Sequence, residues 1–373
     1  MRVGFDARWY NDSGVGTYVA ELLKALIALR GQREAPSNDL ELVVYEDPRN
    51  PIPGLDEDSV ERVTIAAGKY SPAAQFALRS RARRDRLDVF HSPFYPMPLG
   101  LKCPVVVTLH DLIPFLFRTD PWLKQSIIKA GYRVSAKRSR RIIAVSQHTA
   151  QDITKILRIP TDKIAAVHNG VSHAEFYGKV VPGERDDLAR RYGICFPYIA
   201  VGSARNWRTK NLASALRALA LGQQLARVKF QTVVYGPPDG LAAAGGPERW
   251  KQLNLVQTGL LPAAELARVF RHAEIFLMPS LYEGFGLAAL EAMACGCAVI
   301  TSNSGSLPEV VGEGAQAFGP FDVTGMANAV ARLLGDSNEL RWWKQRALAR
   351  ADQFSWEKAA KETVTVYHQA MTG

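Results

Sequence analysis

The sequence has few cysteines, no long apolar run and no low-complexity tract. Its four cysteines, Cys103, Cys195, Cys295 and Cys297, are too few and too unevenly spaced for a disulfide framework, which favours a reducing compartment. No segment approaches the roughly 20 apolar residues that cross a bilayer, and Asp6 interrupts the start of the chain where a secretory signal would be apolar. We therefore expect a cytoplasmic protein without a membrane span.

Patterns that bind metal ions are also missing. The Cys-Gly-Cys at 295–297 lacks a second pair or a nearby histidine, which favours buried small side chains over a metal site. The one Asp-x-Asp, at Asp56 and Asp58, lies in a polar stretch away from any predicted strand end. We expect no metal site and no resident cofactor.

The net charge of +10 is unevenly distributed, since about +7 of it arises before residue 180. Two basic clusters on predicted helices contribute much of it. They are Arg79, Arg81, Arg83, Arg84 and Arg86, and then Lys124, Lys129, Arg133, Lys137, Arg138, Arg140 and Arg141. A solvated helix face and attraction to anionic lipid headgroups are both open interpretations. Nucleic acid is disfavoured because neither cluster is interleaved with stacking aromatic residues.

A chain of 373 residues exceeds what one hydrophobic core usually serves, so two domains are expected. Short β-branched runs alternate with stretches of helical period, the pattern of βα units around parallel sheets. The predicted strands are 3–6, 42–45, 63–66, 88–91, 105–109, 142–145 and 164–167 in the first half, and 198–201, 232–235, 255–258, 275–278 and 299–301 in the second.

A polar stretch with proline and glycine, residues 178–186, separates the two series and predicts the linker. We therefore predict one Rossmann-like domain over residues 1–185, a second over 186–354, and a C-terminal helix over 355–373 that could pack back on the first domain. Ser355 is a suitable N-cap for this helix.

The most informative segment follows the predicted strand 275–278. Gly284 and Gly286 allow the backbone to approach a ligand, and a helix beginning near Leu287 directs unpaired N–H groups at the same place, which favours a diphosphate. Glu283 and Glu291 bracket this start, and their carboxylates suit the hydroxyl groups of a sugar and a ribose. The alternative is a glycine turn followed by a core helix with exposed acids.

Three weaker features also follow strands. Gly14 and Gly16 open a helix predicted over about residues 15–29, and suit either a phosphate-facing turn or a purely structural one. His110 ends the strand 105–109, where a lone histidine is often structural. A cationic loop follows the first strand of the second half, and its Arg205, Arg208 and Lys210 suit either a departing diphosphate or a solvated loop.

The segment Glu283-Gly-Phe-Gly-Leu-Ala-Ala-Leu-Glu291-Ala-Met-Ala resembles the Glu-x7-Glu signature of the retaining glycosyltransferases of family 4. The resemblance extends over essentially the whole chain. It includes Gly14-Val-Gly-Thr-Tyr, Thr108-Leu-His-Asp-Leu-Ile-Pro, Ala144-Val-Ser, His168-Asn-Gly-Val, the 202–211 segment, Leu307-Pro-Glu-Val and Phe354-Ser-Trp. It implies the α/β GT-B fold, in which two Rossmann-like domains face each other across a cleft that holds the sugar donor.

The resemblance also implies roles for matching positions. His110 and Glu283 are expected to be catalytic. Donor-binding positions are expected to be Gly14, Gly16, Arg205, Lys210, Gly284, Phe285, Gly286, Leu287 and Glu291, with no metal ion. Asp111 either orients the His110 imidazole or caps the following turn.

The implied reaction is transfer of a hexose with retention of configuration, most closely resembling bacterial mannosyltransferases that use GDP-mannose in cell-surface polysaccharide synthesis. UDP-glucose or a UDP-N-acetylhexosamine is the alternative donor, and a non-catalytic nucleotide-sugar binder is the alternative class. The expected acceptor is a hydroxyl of a glycan or of a polyprenyl-diphosphate-linked glycan. The basic first half would suit an anionic surface at the inner face of the cytoplasmic membrane.

Overall fold

The computed structural model describes residues 1–10, 12–30, 40–55, 60–203 and 207–372, and the side chains of all of these except Pro72 and Trp207. The chain divides into two compact units. One consists of Met1–Gly170 together with Ser355–Gly373, and the other of Val171–Phe354.

The first unit is built on a parallel sheet of seven strands. They are β1 (Arg2–Asp6), β2 (Glu41–Glu46), β3 (Glu61–Thr64), β4 (Val89–Ser92), β5 (Val105–Leu109), β6 (Arg141–Ala144) and β7 (Ile164–Ala166). Their order is β3-β2-β1-β4-β5-β6-β7, the Rossmann order with a strand added at one edge. Val106, Val107 and Leu109 of β5 are fully buried, because elements on both faces of a parallel sheet exclude water from its strands.

In the part of the first unit that the structure describes, five α-helices connect these strands. They are α1 (Ser13–Leu29), α2 (Pro72–Arg84), α3 (Ile113–Leu116), α4 (Trp122–Arg138) and α5 (Gln147–Leu157). α1 directs one side, including Leu22 and Leu26, into the core, as the helical spacing of its apolar residues predicts.

The second unit repeats the arrangement with six parallel strands. They are β8 (Tyr198–Gly202), β9 (Gln231–Tyr235), β10 (Leu255–Gly259), β11 (Ile275–Met278), β12 (Ala298–Ser302) and β13 (Gln316–Phe318). Their order, β10-β9-β8-β11-β12-β13, is the Rossmann order 3-2-1-4-5-6. The helices of this unit are α6 (Glu184–Tyr192), α7 (Trp207–Lys210), α8 (Leu212–Leu225), α9 (Asp239–Ala243), α10 (Ala263–His272), α11 (Leu287–Ala294), α12 (Leu307–Val311), α13 (Val323–Gly335) and α14 (Ser337–Ala351).

The last helix, α15 (Trp356–Thr372), belongs to the first unit. The Ser355 hydroxyl accepts a hydrogen bond from the backbone N–H of Lys358 at 3.2 Å, as an N-cap residue does. Trp356 and Tyr367 are buried, and the helix packs along α1.

The division between the units lies about fifteen residues earlier than the boundary at 185 that the sequence predicts. The Glu184 carboxylate is buried, and accepts hydrogen bonds from Arg271 Nη1 at 2.5 Å and from His272 Nε2 at 2.9 Å. Phe176 is also buried. These contacts tie the end of the segment 171–185 to α10 of the second unit, whereas the proline and glycine content of the segment suggested a linker.

All twelve predicted strands are present, with ends within two residues of the predicted ones. The sequence did not predict β13. This strand has only three residues, Gln316-Ala-Phe318, without a β-branched run, and it lies at the edge of its sheet.

Candidate functional site

The second sheet places two functional loops side by side. β8 and β11 are parallel neighbours, with Ile275 opposite Ile199, although β9 and β10 intervene between them in the chain. The order of strands reverses at this pair, and ligands of such sheets bind outside the carboxyl ends of the strands at the reversal. α7 follows β8, and residues 279–286 follow β11.

The loop after β11 needs glycine where the helix begins. Gly286 has a φ of +103°, and a Cβ atom built there would lie 2.7 Å from Leu307 Cδ2. The preceding turn is fixed by the Ser306 hydroxyl, which donates to the carbonyl oxygen of Glu283 at 3.0 Å. The loop that presents Glu283 is therefore anchored to the segment before α12.

Lys210 and Glu283 form an ion pair at this edge of the sheet. The Lys210 ammonium donates to both carboxylate oxygens of Glu283, with Nζ to Oε1 at 2.7 Å and Nζ to Oε2 at 2.9 Å. The Lys210 side chain is 30% exposed and that of Glu283 12%. The backbone N–H of Leu281 donates to the carbonyl of Thr209 at 2.7 Å, so the two loops are also joined through their backbones.

Glu291 lies one turn into α11 and is half-buried. Burial and, to a smaller extent, the charge of Glu175 raise the pKa of its carboxyl group to about 7, against the opposing effect of Lys210. The motif around Glu283 and Glu291 thus has one acid neutralised by an ion pair and another that is partly protonated near neutral pH.

The start of α11 presents unpaired backbone donors. In the described part of the chain, no acceptor receives the N–H groups of Leu287 or Ala288, whereas the N–H groups of Ala289 and Leu290 bond to the carbonyl of Gly286. These first-turn N–H groups lie at the positive end of the helix dipole. Phe285 is buried and packs edge-on against Phe354, with ring centroids 6.0 Å apart, so its side chain belongs to the packing behind the loop.

Other predicted positions have different outcomes. Arg205 lies outside the described residues. Arg208 and Lys210 are both in α7. The following residue, Asn211, was not predicted; its side-chain amide donates to the carbonyl oxygens of Pro279 at 3.0 Å and Pro320 at 2.7 Å, which holds the end of α7 against the β11 loop.

In the first unit the two predicted glycines lie in the first turn of α1, which begins at Ser13 and thus slightly earlier than predicted. Gly14 is exposed, and a Cβ atom added there would meet no described atom within 4 Å. Gly16 is buried. The fold itself therefore leaves the surface at Gly14 open.

His110 directly follows β5 and is half-buried. Its Nε2 lies 2.8 Å from the carbonyl oxygen of Pro93, which can only accept, so Nε2 carries the proton. Burial lowers the pKa of the imidazole to about 4. The neutral ring therefore keeps a lone pair on Nδ1, which can accept a hydrogen bond.

A buried polar network lies beneath His110. The ring of Tyr18 meets the His110 ring edge-on, with centroids 4.7 Å apart, and its hydroxyl lies 2.9 Å from Thr108 Oγ1. The same threonine oxygen is 2.8 Å from His91 Nε2, and His91 Nδ1 is 2.7 Å from the hydroxyl of Tyr367. Burial lowers the pKa of His91 to about 3, so this histidine is neutral too.

Asp111 caps the turn that begins α3, since its Oδ1 accepts from the N–H of Ile113 at 2.9 Å. Of the two roles that the sequence left open, the structure shows this one.

The structure brings Lys210, Glu283, the 284–287 backbone and Glu291 together at one sheet edge, and Gly14, Tyr18 and His110 together at the other sheet's equivalent edge. Sequence reasoning missed Glu175 and Tyr367. Glu175 follows the predicted His168-Asn-Gly-Val motif by only a few positions, a signal that could have found it. Tyr367 is separated from His91 by 276 positions, and no local pattern connects the two.

Comparison with known proteins assigns the family. The profile of Glycosyltransferase Family 4 matches residues 13–175, and that of Glycosyl transferases group 1 matches residues 197–336. The first match covers most of the first α/β unit and ends five residues into the second, and the other match lies within the second unit. The chain belongs to family 4 of the glycosyltransferases and is a glycosyltransferase.

Individual relatives agree with this assignment. O-antigen chain mannosyltransferase B of Escherichia coli is 27% identical over 379 residues, with 96% of each chain covered. The MMP alpha-(1->4)-mannosyltransferase of Mycolicibacterium hassiacum is 29% identical over 373 residues, covering 91% of this chain and 85% of that protein. Sucrose-phosphate synthase from Thermosynechococcus elongatus superposes with a TM-score of 0.79 at 19% identity over 99% of this chain and 98% of that one, which shows the GT-B fold.

None of the helices that the structure describes combines the length and the apolar character that a bilayer span requires.

Proposed function

We propose that the protein transfers a mannosyl group from GDP-mannose to a hydroxyl of a glycan or lipid-linked acceptor, with retention of configuration and without a metal ion. Two relatives of nearly equal length are mannosyltransferases by name, and one of them acts on O-antigen chains. The single observation that carries the proposal is the Lys210–Glu283 pair beside the start of α11, where a helix N-terminus suited to phosphate and a carboxylate suited to sugar hydroxyls lie together.

Positive charge for the diphosphate would come from the protein itself. Lys210 supplies a cation, and the N–H groups of Leu287 and Ala288 supply donors at the positive end of a helix dipole. Charge-assisted hydrogen bonds of this kind would stabilise the nucleoside diphosphate as it departs. This arrangement supports metal-independent transfer with no resident cofactor.

The two acids of the motif are compatible with a bound diphosphate because neither contributes a full isolated charge. Glu283 shares its charge with Lys210, and the pKa of Glu291 near 7 leaves its carboxyl partly protonated at neutral pH. Glu283 would accept hydrogen bonds from sugar hydroxyls, and Glu291 from a ribose hydroxyl.

His110 keeps its predicted catalytic role as part of this proposal. Because its pKa of about 4 leaves the ring neutral, it would act through the Nδ1 lone pair, by accepting a hydrogen bond from a sugar hydroxyl. Tyr18 and the carbonyl of Pro93 fix the orientation of the ring. Donation from Nε2 to that carbonyl would leave Nδ1 as the nitrogen that faces a ligand.

The acceptor is proposed to be a growing glycan or a polyprenyl-diphosphate-linked glycan presented at an anionic membrane surface. The excess of positive charge in the first half of the chain supports this.

Calorimetric titration with GDP-mannose, UDP-glucose and UDP-N-acetylglucosamine tests the donor. We expect GDP-mannose to bind most tightly. We also expect turnover of this α-linked donor to continue in the presence of EDTA and to give a glycoside that NMR shows to be α-linked. Tighter binding of a UDP-sugar would contradict the proposal that GDP-mannose is the donor. A β-linked product would refute retention, and loss of turnover in EDTA would refute metal independence.

Two lysine variants test the site. We expect Lys210→Met to weaken binding of GDP about 10- to 100-fold, the value of one charge-assisted hydrogen bond. Lys251→Met is the matched control, because Lys251 also pairs with a glutamate but is 73% exposed on the surface of the same unit. Equal affinities of the two variants for GDP would show that Lys210 does not contribute to donor binding.

A further inference from the structure

The outward face of α4 carries an apolar stripe. Leu123, Ile127 and Val134 are 58%, 65% and 42% exposed, and Trp122 at the start of the helix is 72% exposed. At 100° per residue the first three lie within about 40° of one another around the helix axis. The opposite side of the helix makes the contacts with the core, through four buried residues: Gln125, Tyr132, Ser135 and Ala136. The packing of the helix therefore does not use the stripe.

Basic residues flank this stripe on both sides. Arg133 and Lys137 lie along one side, and Lys124 and Arg138 along the other, by the same angular count. Residues 121–151 contain no acid. A helix with apolar residues between two rows of cations is typical of helices that lie in the interface of an anionic bilayer.

The stripe continues into a basic groove at the end of α4. A cavity of about 1280 Å³ lies at the amino ends of β5 and β6, and seven basic side chains and one acidic side chain line it. Within the described ranges, the side chains of Lys137, Arg138 and Arg140 have no ion-pair partner. Val134 of the stripe and the 47% exposed Leu99 border the same groove. Apolar surface and unpaired cations therefore adjoin each other.

We propose that the face formed by Trp122, Leu123, Ile127 and Val134 with the groove cations Lys137, Arg138 and Arg140, here termed the α4 face, docks on an anionic phospholipid bilayer. The apolar stripe lies among the acyl chains next to the headgroups, and the groove receives headgroup phosphates. The inference rests on the proposed use of a membrane-borne acceptor and assigns that contact to one surface. Nucleic acid would use the cations but leave the stripe in water.

The other basic cluster, on α2, is a poorer membrane contact. Arg81 Nε donates to Asp85 Oδ1 at 2.9 Å, and Arg81 Nη2 lies 3.3 Å from Glu61. Arg83 donates to the carbonyl of Gly100 through Nε at 3.1 Å and Nη2 at 2.6 Å. Acidic and carbonyl oxygens thus already engage these guanidinium groups, which sets α2 apart from the α4 face.

Sedimentation of the full-length protein with vesicles tests the proposal. We expect binding to vesicles of phosphatidylcholine with phosphatidylglycerol, weakening as salt is raised, and little binding to phosphatidylcholine alone. The triple variant Lys137→Gln, Arg138→Gln, Arg140→Gln should lower the partition constant at low salt by more than about tenfold, since each cation near such a surface contributes roughly fivefold. The double variant Leu123→Ser, Ile127→Ser should lower the partition constant as well, at low salt and at raised salt.

Matched variants in the second unit are the controls. Arg217→Gln, Arg227→Gln, Lys229→Gln removes the same charge from exposed positions, and Leu260→Ser, Phe321→Ser removes two exposed apolar side chains. We expect both controls to bind vesicles as the unaltered protein does. No binding of the unaltered protein to anionic vesicles, or an equal loss in the controls and in the α4 variants, would overturn the proposal.

Two further measurements separate this inference from the proposed function. GDP titration of the same variants should give unchanged affinity, so loss of vesicle binding with intact GDP binding supports the α4 face alone. The second measurement is binding to a duplex DNA. The lipid assignment would be overturned if the unaltered protein bound the duplex at least as tightly as vesicles and if Leu123→Ser, Ile127→Ser changed neither affinity. The surface would then bind polyanions in general.

Discussion

Glu291 lies where the fold disfavours its charge. Its folded pKa of about 7 exceeds the ordinary value of 4.5, so the folded state holds a proton that the unfolded state has already lost. The free energy of unfolding therefore falls as pH rises from about 4.5 to about 7, and stays reduced above that range. Such a cost is common at sites that are shaped for a ligand.

We expect Glu291→Gln to stabilise the protein at about pH 8 by on the order of 1–3 kcal/mol, because the amide cannot ionise. The gain should vanish below about pH 4.5. The same variant should bind GDP-mannose less tightly, since the amide is a weaker acceptor for a ribose hydroxyl. Thermal unfolding across this pH range and calorimetric titration measure the two effects.

Glu248→Gln is the control, since it alters an exposed glutamate in the same unit. A Glu291→Gln protein with unchanged donor affinity would refute the ribose contact. A Glu291→Gln protein with unchanged stability at alkaline pH would show that burial does not destabilise the charged form of Glu291.

Single residues of the site were predictable where they follow a strand or match the family motif, as Lys210, Glu283 and His110 do. Their partners were not. The Lys210–Glu283 pair depends on β8 and β11 being neighbours, and the sequence does not state which strands pair. The Tyr18–Thr108–His91–Tyr367 network joins two strands and two helices through side chains that have no common spacing.

At the scale of elements, α1 shows a position that the fold leaves free. Gly14 lies in the first turn of the helix, and a Cβ atom added there would meet no described atom within 4 Å, so packing in the described structure does not require glycine there. Gly286 at the start of α11 differs, because both its φ and Leu307 exclude a side chain. The two helix starts were predicted from the same pattern of glycines after a strand, and only coordinates distinguish them.

We expect Gly14→Ala to leave the melting temperature unchanged or slightly higher, because alanine favours a helix by up to about 1 kcal/mol over glycine. Its kcat/KM should fall more than about tenfold if a ligand approaches the backbone here. Unfolding and initial rates measure both. Gly335→Ala is the matched control, since Gly335 is also exposed on a helix with no atom within 4 Å of an added Cβ. Full activity of Gly14→Ala would show that no ligand approaches the backbone closely at Gly14, and would refute its place in the donor site.

At the scale of the whole molecule, the first unit consists of two separate chain segments, and the second unit is one continuous segment between them. The sequence predicted both Rossmann-like units because strand and helix periodicities are local. It left open where α15 packs, since its apolar face would suit either core, and that choice depends on contacts with α1.

We expect residues 171–354 to fold cooperatively when expressed alone, whereas residues 1–170 should not. Without α15 the first unit loses the burial of Trp356, Val364 and Tyr367, on the order of 5 kcal/mol, which is comparable to the stability of a whole domain. Circular dichroism and thermal unfolding of the two fragments check this.

In the intact chain, Trp356→Ala should lower the melting temperature by several degrees or more, since truncating a buried tryptophan costs about 3–5 kcal/mol. Trp342→Ala is its control, because Trp342 is 47% exposed. A cooperative unfolding transition of residues 1–170 alone would contradict the dependence on α15.

The interrupted first unit also sets an order for biosynthesis. A ribosome synthesises Val171–Phe354 before it reaches Ser355, so the second unit can complete its core while the first still lacks α15. Until α15 has been synthesised, the nascent first unit would expose the α1 surface that this helix covers, and a chaperone could bind the unfinished protein there.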